Sequence, residues 1–495
     1  MLRPYQSNAI DSLRDMMRAG ISRVVMQLPT GAGKTIIAAA IIRMAREKGK
    51  RVLFVVPALS LIDQTVERFE GVGIDDIGVM QATHELTRWG APVQVCSIQT
   101  LSRRTVPEAD LVIVDEAHVQ FKFLRDWMMD PAWSKIPFVG LSATPWAKGM
   151  GTLWGGLMIP VTMQELIDLG HLSPFRVFAP AHPDLSGVRT VAGDYEIKAL
   201  GEAMDKGALV ADIVSTWLAR GENRPTICFC VNRAHAKNVA DQFEKNGVAA
   251  GYMDAFTDRL ERTRIVRRFE AGEIKVLCNV GVLTTGFDSD VRCIILARPT
   301  KSEMLFVQMV GRGLRPAEGK ADCLILDHSD TTIRLGFVSD IHHDALDDGK
   351  RKAKNEREKK EPLPKECPRC TFLRPPKVKE CPACGFVAQA VSGVEVEKGD
   401  LHEITRDRRI KPKDWSMDQK AAFYAELLLH AKLRGYKAGW AYHAYKNRLG
   451  VGPHHTLPAT PAQMISAETQ GWIRHYNIAK AKAREAGNGA ARKTG

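Results

Sequence analysis

Between Val24 and Ser142, short runs of continuously apolar residues alternate with segments whose apolar positions recur at helical spacing. The runs Val24–Leu28, Val52–Val56, Val93–Ile98, Leu111–Val114 and Phe138–Ser142 predict strands, and Thr35–Lys48 and Leu59–Phe69 predict helices between them. A strand apolar on both faces must be covered on both, so the alternation predicts a parallel sheet sandwiched by helices. The same rhythm restarts at Thr226–Val231 and runs through Ala249–Met253, Lys275–Asn279, Cys293–Ala297 and Cys323–Leu326, with helices Ala234–Asn246 and Asp258–Ala271 between. The expectation is an α/β protein with tandem domains over residues 1–170 and 206–345, joined by a connection of residues 171–205.

Past Asp344 the pattern breaks. Lys350–Lys360 is a run of charges followed by prolines, read as a charged linker over 346–364; it is either a solvated segment or a phosphate contact. A cysteine module follows at 365–388, then a basic, aromatic helical region at 410–485, and the last ten residues have the composition of a disordered tail.

Charge narrows the partners. With a formal net charge of +13, the chain favours polyanions, and no basic amphipathic helix with a bulky apolar face directs it to a membrane. No stretch approaches the ~20 apolar residues of a membrane span, and Met1–Gln6 lacks the apolar core of a secretory signal. A cytoplasmic protein that binds nucleic acid is expected. Cys96, Cys228, Cys230, Cys278, Cys293 and Cys323 sit singly in apolar runs and read as small buried side chains in a reducing compartment.

Chemistry is concentrated in three segments. The first, Leu28-Pro-Thr-Gly-Ala-Gly-Lys-Thr35, follows an apolar strand and opens an apolar helix. That is the setting in which backbone N–H groups at a helix N-terminus surround phosphate oxygens. Thr30, Gly31, Ala32 and Gly33 would form the cradle, Lys34 would reach the β- and γ-phosphates, and Thr35 would offer its hydroxyl to Mg²⁺. Leu28 stands where the longer form of this pattern has its first glycine. The second segment places Asp115 and Glu116 at the end of an apolar strand, the mouth of a parallel sheet where ligands bind. Asp115 is suited to hold Mg²⁺ and Glu116 to polarise an attacking water. The third, Gln308-Met-Val-Gly-Arg-Gly-Leu-Arg315, offers Arg312 and Arg315 to the charge that develops on a transferring phosphoryl group. Its distance along the chain from the other two suggests a nucleotide site closed between two domains.

In this order, over residues 1–335, the motifs resemble those of the superfamily-two helicases and translocases, in their DEAH-containing branch. Arg3-Pro-Tyr-Gln6 resembles the family's adenine-reading segment, with Gln6 as base contact, and 28–35 resembles its shortened phosphate loop. Asp115-Glu-Ala-His118 and Ser142-Ala-Thr-Pro145 match the motifs that hydrolyse ATP and couple hydrolysis to strand movement. Asn279–Asp288 looks like the segment that touches both nucleotide, through Gly286 and Asp288, and nucleic-acid backbone; Gln308, Arg312 and Arg315 match the finger motif. The resemblance implies two RecA-like domains, ATP with Mg²⁺ in their cleft, and a strand crossing both. Val55–Leu59, Ser97–Leu101 and Cys230–Arg233 would then contact its phosphates, and His118 would relay between the ATP site and the other domain.

Cys367-Pro-Arg-Cys370 and Cys381-Pro-Ala-Cys384 form two C-x-x-C knuckles, a spacing that fits a structural Zn²⁺ in a small zinc ribbon. A helicase-type core followed by such a ribbon is similar to bacterial or phage proteins of the RadD-like DNA-repair group. The aromatics of the last region, among them Trp415, Phe423, Trp440 and Trp472, read either as the core of a helical bundle or as base-stacking residues. The function expected is an ATP-dependent DNA helicase or translocase acting in repair, replication or recombination. Single-strand-binding or repair and replication proteins are its candidate partners. The alternatives are an RNA helicase, or a remodelling or restriction-system motor that separates no strands.

Overall fold

The computed structural model describes residues 2–81, 84–283, 287, 289–350, 363–376, 378–387, 412, 415–437, 439–454, 461–466, 468–473 and 476–477. Strands β1 (Arg23–Gln27), β2 (Val52–Val56), β3 (Ile77–Val79), β4 (Val93–Ser97), β5 (Leu111–Asp115), β6 (Phe138–Ser142) and β7 (Gly156–Met158) form a seven-stranded sheet in the order β3-β4-β2-β5-β6-β1-β7. Every pairing in it is parallel. β2, β4 and β6 are buried along their whole length, as their mainly apolar sequences require.

The second sheet gathers β8 (Phe175–Phe178), β11 (Thr226–Phe229), β12 (Ala250–Met253), β13 (Val276–Asn279), β14 (Cys293–Leu296) and β15 (Cys323–Asp327) in the order β12-β13-β11-β14-β15-β8, again all parallel. A small hairpin, β9 (Thr190–Val191) with β10 (Asp194–Tyr195), lies outside both sheets. Parallel strands present all their C-terminal ends along one edge, so the segments after β2, β4, β5 and β6 share an edge of the first sheet. Those after β11, β12 and β13 share an edge of the second.

The connection at 146–205 is where the structure departs from the sequence pattern. β7 extends the first sheet beyond β1, and β8 adds an edge strand to the second, paired with β15. Edge strands need no continuous apolar run: β8 carries Arg176, which bonds Asp322 through Nε at 2.5 Å. The chain also returns to the first domain after leaving the second. Asp347 accepts from Gly149 N at 2.8 Å through its carboxylate and from Gly151 N at 2.8 Å through its carbonyl. His343 meanwhile lies 4.8 Å, ring to ring, from Trp146 and bonds Glu303 at 2.7 Å.

The cysteine module, with β16 (Lys365–Glu366) and β17 (Leu373–Arg374), docks on the open side of β8. Ala179 N donates to Thr371 O at 3.0 Å and the Phe178 and Phe372 rings meet edge to face at 5.4 Å. Module and edge strand therefore cap one another. Residues 351–362 of the charged linker and the last ten residues lie outside the described residues.

Residues 391–495 form a separate unit. In it, helix Met417–Leu433, capped by Ser416, packs on helix Gly439–Leu449. Phe423, Leu427, Ala441, Tyr445 and Ile473 are its buried core, and Trp415, Trp440, Trp472 and Tyr476 pack against them. The Arg448 guanidinium lies over the rings of Trp415, Phe423 and Trp472 at 5.3 to 5.7 Å. These aromatics are placed as the core of a bundle. Among the described residues no helix is long and apolar enough to cross a membrane.

Candidate nucleotide site

The loop after β1 turns into helix Lys34–Glu47 through Gly33, which sits at φ +83°, with Gly31 at φ +89°. Both lie in the left-handed region that other residues avoid. The loop is held from behind by the N-terminal helix Pro4–Arg18: the Tyr5 hydroxyl donates to Ala32 O at 2.7 Å and Gln6 Nε2 donates to the same oxygen at 3.2 Å. A Cβ on Gly33 would stand 2.5 Å from Gln6 Nε2. Replacing Gly33 with alanine therefore adds a clash to a backbone cost of about 1–2 kcal/mol. ATP affinity should fall about tenfold or more, read by nucleotide titration; unchanged affinity would contradict this account of the loop.

Leu28 is fully buried beneath the loop, so the position of the pattern's missing glycine is filled by core. Thr30 is buried and Thr35 half-buried.

β5 ends at Asp115, whose Oδ1 accepts from Glu116 N at 3.0 Å. Glu116 is held at φ +48°, a conformation a non-glycine residue keeps only where its surroundings impose it. Its Oε1 lies 3.2 Å from Lys34 Nζ, and both side chains are largely buried. Burial, then the charge of Glu116, raises the Asp115 carboxyl to about 6. Burial also pushes Glu116 upward, but Lys34, His118 and Arg312 outweigh it and hold that carboxylate below its usual range. Lys34, Glu116 and Arg312 therefore form one electrostatic group drawn from both domains.

His118 joins two motifs of the first domain to one of the second. Its Nδ1 lies 2.8 Å from Ser142 Oγ and its Nε2 3.2 Å from Gln308 Nε2, which also donates to Thr144 Oγ1 at 3.4 Å. With the Gln308 amide nitrogen as donor, His118 is a neutral imidazole whose Nε2 accepts and whose Nδ1 faces Ser142 Oγ and, at 3.3 Å, Glu116 Oε2. Burial lowers the His118 pKa, in keeping with that neutral tautomer. Gln308 thus reaches His118 and Thr144 rather than the loop after β1.

The finger segment follows helix Glu303–Gly311. Gly311 lies so near Thr30 that a Cβ would touch its side chain at 3.0 Å, and the Arg315 chain passes Gly31. Arg312 Nη1 and Arg315 Nη1 both donate to Phe287 O, at 3.0 and 2.6 Å. Gly286 and Asp288, on either side, lie outside the described residues.

Sequence reasoning missed two supports. Lys320 Nζ donates to the carbonyls of Gly313 (2.5 Å), Arg315 (2.7 Å) and Val291 (2.7 Å), fixing the finger backbone. Leu172 packs on Gly31, and Ser173 N donates to Leu314 O at 2.7 Å. Neither residue type carries a signal that local pattern could detect.

In the cysteine module the sulfurs of Cys367, Cys370, Cys381 and Cys384 lie within 4.8 Å of one another, with Cys367–Cys384 at 3.7 Å and Cys370–Cys381 at 3.6 Å. Tetrahedral thiolate ligands ~2.3 Å from a metal stand roughly 3.8 Å apart, so the donor set fits one such ion. Cys228, Cys230 and Cys278 are also clustered, fully buried within the second domain.

Residues 1–146 match the family described as type III restriction enzyme, res subunit, and 206–317 match the helicase conserved C-terminal domain. The Saccharomyces cerevisiae protein IRC3, provisionally named an ATP-dependent helicase, is 30% identical over 66% of this chain; the chain spans 51% of its length. Among solved structures, a fragment described as an HsdR subunit of a type I restriction enzyme from Vibrio vulnificus superposes with TM-score 0.53 at 22% identity, over 70% of this chain and 69% of the fragment. The type ISP restriction-modification enzyme LlaBIII, bound to DNA, gives TM-score 0.51 at 18% identity, over 66% and 27%. Both structures share the fold of the two parallel sheets. The chain belongs to the superfamily-two helicase family.

Proposed function

We propose that this chain is an ATP-hydrolysing motor that travels along or unwinds DNA, of the DEAH type and RadD-like in its ribbon. One observation supports it most: Gln308 of the second domain bonds His118 and Thr144 of the first, and Gly311 packs on Thr30, beside the Lys34–Glu116 pair. Hydrolysis then depends on the two domains meeting. Glu116 orients and deprotonates the attacking water, while Lys34, Arg312 and Arg315 offset charge on the phosphates. Thr35 and the half-buried Asp115 carboxylate would hold Mg²⁺, which supplies further charge neutralisation. Gln6, Gly286 and Asp288 keep the nucleotide contacts that the family resemblance assigns to them. His118 and Gln308 are placed to pass the state of the site between domains, since opening of the cleft would break the bond they share.

The net charge of +13 favours a polyanionic track, and the LlaBIII structure with DNA favours DNA over RNA. Likeness to restriction-system proteins supports a second reading, translocation without strand separation. Triplex displacement and duplex unwinding assays distinguish the two: unwinding requires both signals, whereas pure translocation displaces only the triplex strand. Failure in both assays would sink the motor reading.

Four thiolates make Zn²⁺ the ion proposed for the ribbon. Elemental analysis should find one zinc per chain, lost in Cys381→Ser/Cys384→Ser, with faster amide exchange at 365–376 because metal binding supplies the folding energy of so small a module. A full zinc complement in that double variant would refute the assignment. Docking on β8 favours a bracing role for the ribbon.

A further inference from the structure

Phe256 is the most exposed aromatic side chain among the described residues, at 78%, with Leu260 four residues later at 74%. It stands on a short loop after β12, and that loop is rigidly built. The Asp254 carboxylate accepts from Phe256 N (2.8 Å), Thr257 N (2.9 Å) and the Tyr252 hydroxyl (2.6 Å). Arg262 closes the turn from the other side, donating to the carbonyls of Thr257 (2.8 Å), Asp254 (2.9 Å) and Ala255 (3.0 Å). A loop clamped so thoroughly, yet holding a phenyl ring in water, presents that ring to something.

The surroundings say what. The Arg233 guanidinium lies 4.9 Å from the ring centroid on one side and is itself anchored to Asp254 at 2.5 Å. Arg233 begins the helix after β11, at the same sheet edge as the Phe256 loop and as Asn279, where β13 ends. Three residues beyond Phe256, Arg259 crosses to the first domain and pairs with Asp63 at 2.7 Å. Asp63 lies in the helix that follows Val55–Leu59, so the loop sits where the proposed phosphate-contact segments of both domains converge.

We propose that Phe256 is a stacking platform for an unpaired base of single-stranded nucleic acid, with Arg233 backing the ring and holding the adjacent phosphate. Every base has a π face, so such a platform accepts any sequence and leaves selectivity to the strand's being unpaired. The inference rests on the nucleic-acid motor reading above.

The test compares wild type, Phe256→Ala, Phe256→Leu and Phe256→Trp in the full chain. The readouts are the oligodeoxynucleotide concentration that half-stimulates ATP hydrolysis and the fluorescence quenching of a 2-aminopurine oligonucleotide on binding. Phe256→Ala and Phe256→Leu should raise that concentration roughly 5- to 150-fold and abolish the quenching, while Phe256→Trp should keep both near wild type. A wild-type melting temperature in Phe256→Ala guards against misfolding. If oligonucleotides stimulate wild type and Phe256→Ala responds identically, the platform is refuted and the motor stands. If Phe256→Leu matches wild type, stacking is refuted in favour of plain apolar contact. If no nucleic acid stimulates wild type, the motor reading itself falls and takes the platform with it.

Discussion

Replacing Arg312 with alanine should slow ATP turnover by about 10³- to 10⁵-fold, the range over which an arginine finger acts in phosphoryl transfer. The side chain is 6% exposed, its Nη1 donates to Phe287 O at 3.0 Å, and its charge is felt by Glu116. Removing it leaves Phe287 O with Arg315, still 2.6 Å away, so the local backbone keeps a donor. Lys34 and Arg315 then remain as the side-chain cations facing the transition-state charge. Glu116 also loses one of the cations that hold its pKa down, which makes the loss larger than that of a surface charge. The effect should fall on kcat, with the ATP concentration at half-saturation nearly unchanged, because the phosphate loop is untouched. Steady-state kinetics check this; a kcat within tenfold of wild type would mean that the second domain does not complete the site.

Glu116→Gln should lower kcat by about 10²- to 10⁴-fold through loss of the base, while ATP binding is kept or tightened. The tightening has a specific origin. Lys34 is paired with Glu116 at 3.2 Å, and a neutral amide releases that lysine for the phosphates. The amide is nearly the same shape as the carboxylate, so the strained backbone at φ +48° is not asked to change. Nucleotide titration against the kinetic measurement separates the two effects. Weaker binding in parallel with slower turnover would point to collapse of the loop instead.

Both substitutions concern residues that local sequence pattern could single out, and the reason is chemical. A phosphate cradle needs glycine at left-handed positions, and a catalytic carboxylate in a parallel sheet needs a strand end; Gly31, Gly33, Asp115 and Glu116 meet those needs within a few residues. Central strands were legible for the same reason: buried on both faces, β2 and β6 hold no polar side chain before their last residue, and β4 admits Gln94 only with its amide bonded to the carbonyls of Arg88 and Ala91. β7 and β8 were not. A three-residue strand such as β7, or an edge strand that carries Arg176 to Asp322, is defined by its partner rather than by its own composition. Leu172 on Gly31, Lys320 under the finger and Asp347 returning to Gly149 were illegible for a related reason, since each acts through backbone groups far away in sequence. Gln308 marks the limit of motif reading: its place in a motif was visible, but its bond to His118 required the fold.

ATP hydrolysis between the two domains should answer to nucleic acid. The most direct measurement is the steady-state ATPase rate of the full chain alone and with single-stranded DNA, duplex DNA or RNA. Slow turnover alone and marked stimulation by at least one form of DNA are expected, with the stimulated rate lost in Arg312→Ala. A rate that no nucleic acid alters, or one that Arg312→Ala leaves unchanged, would contradict it.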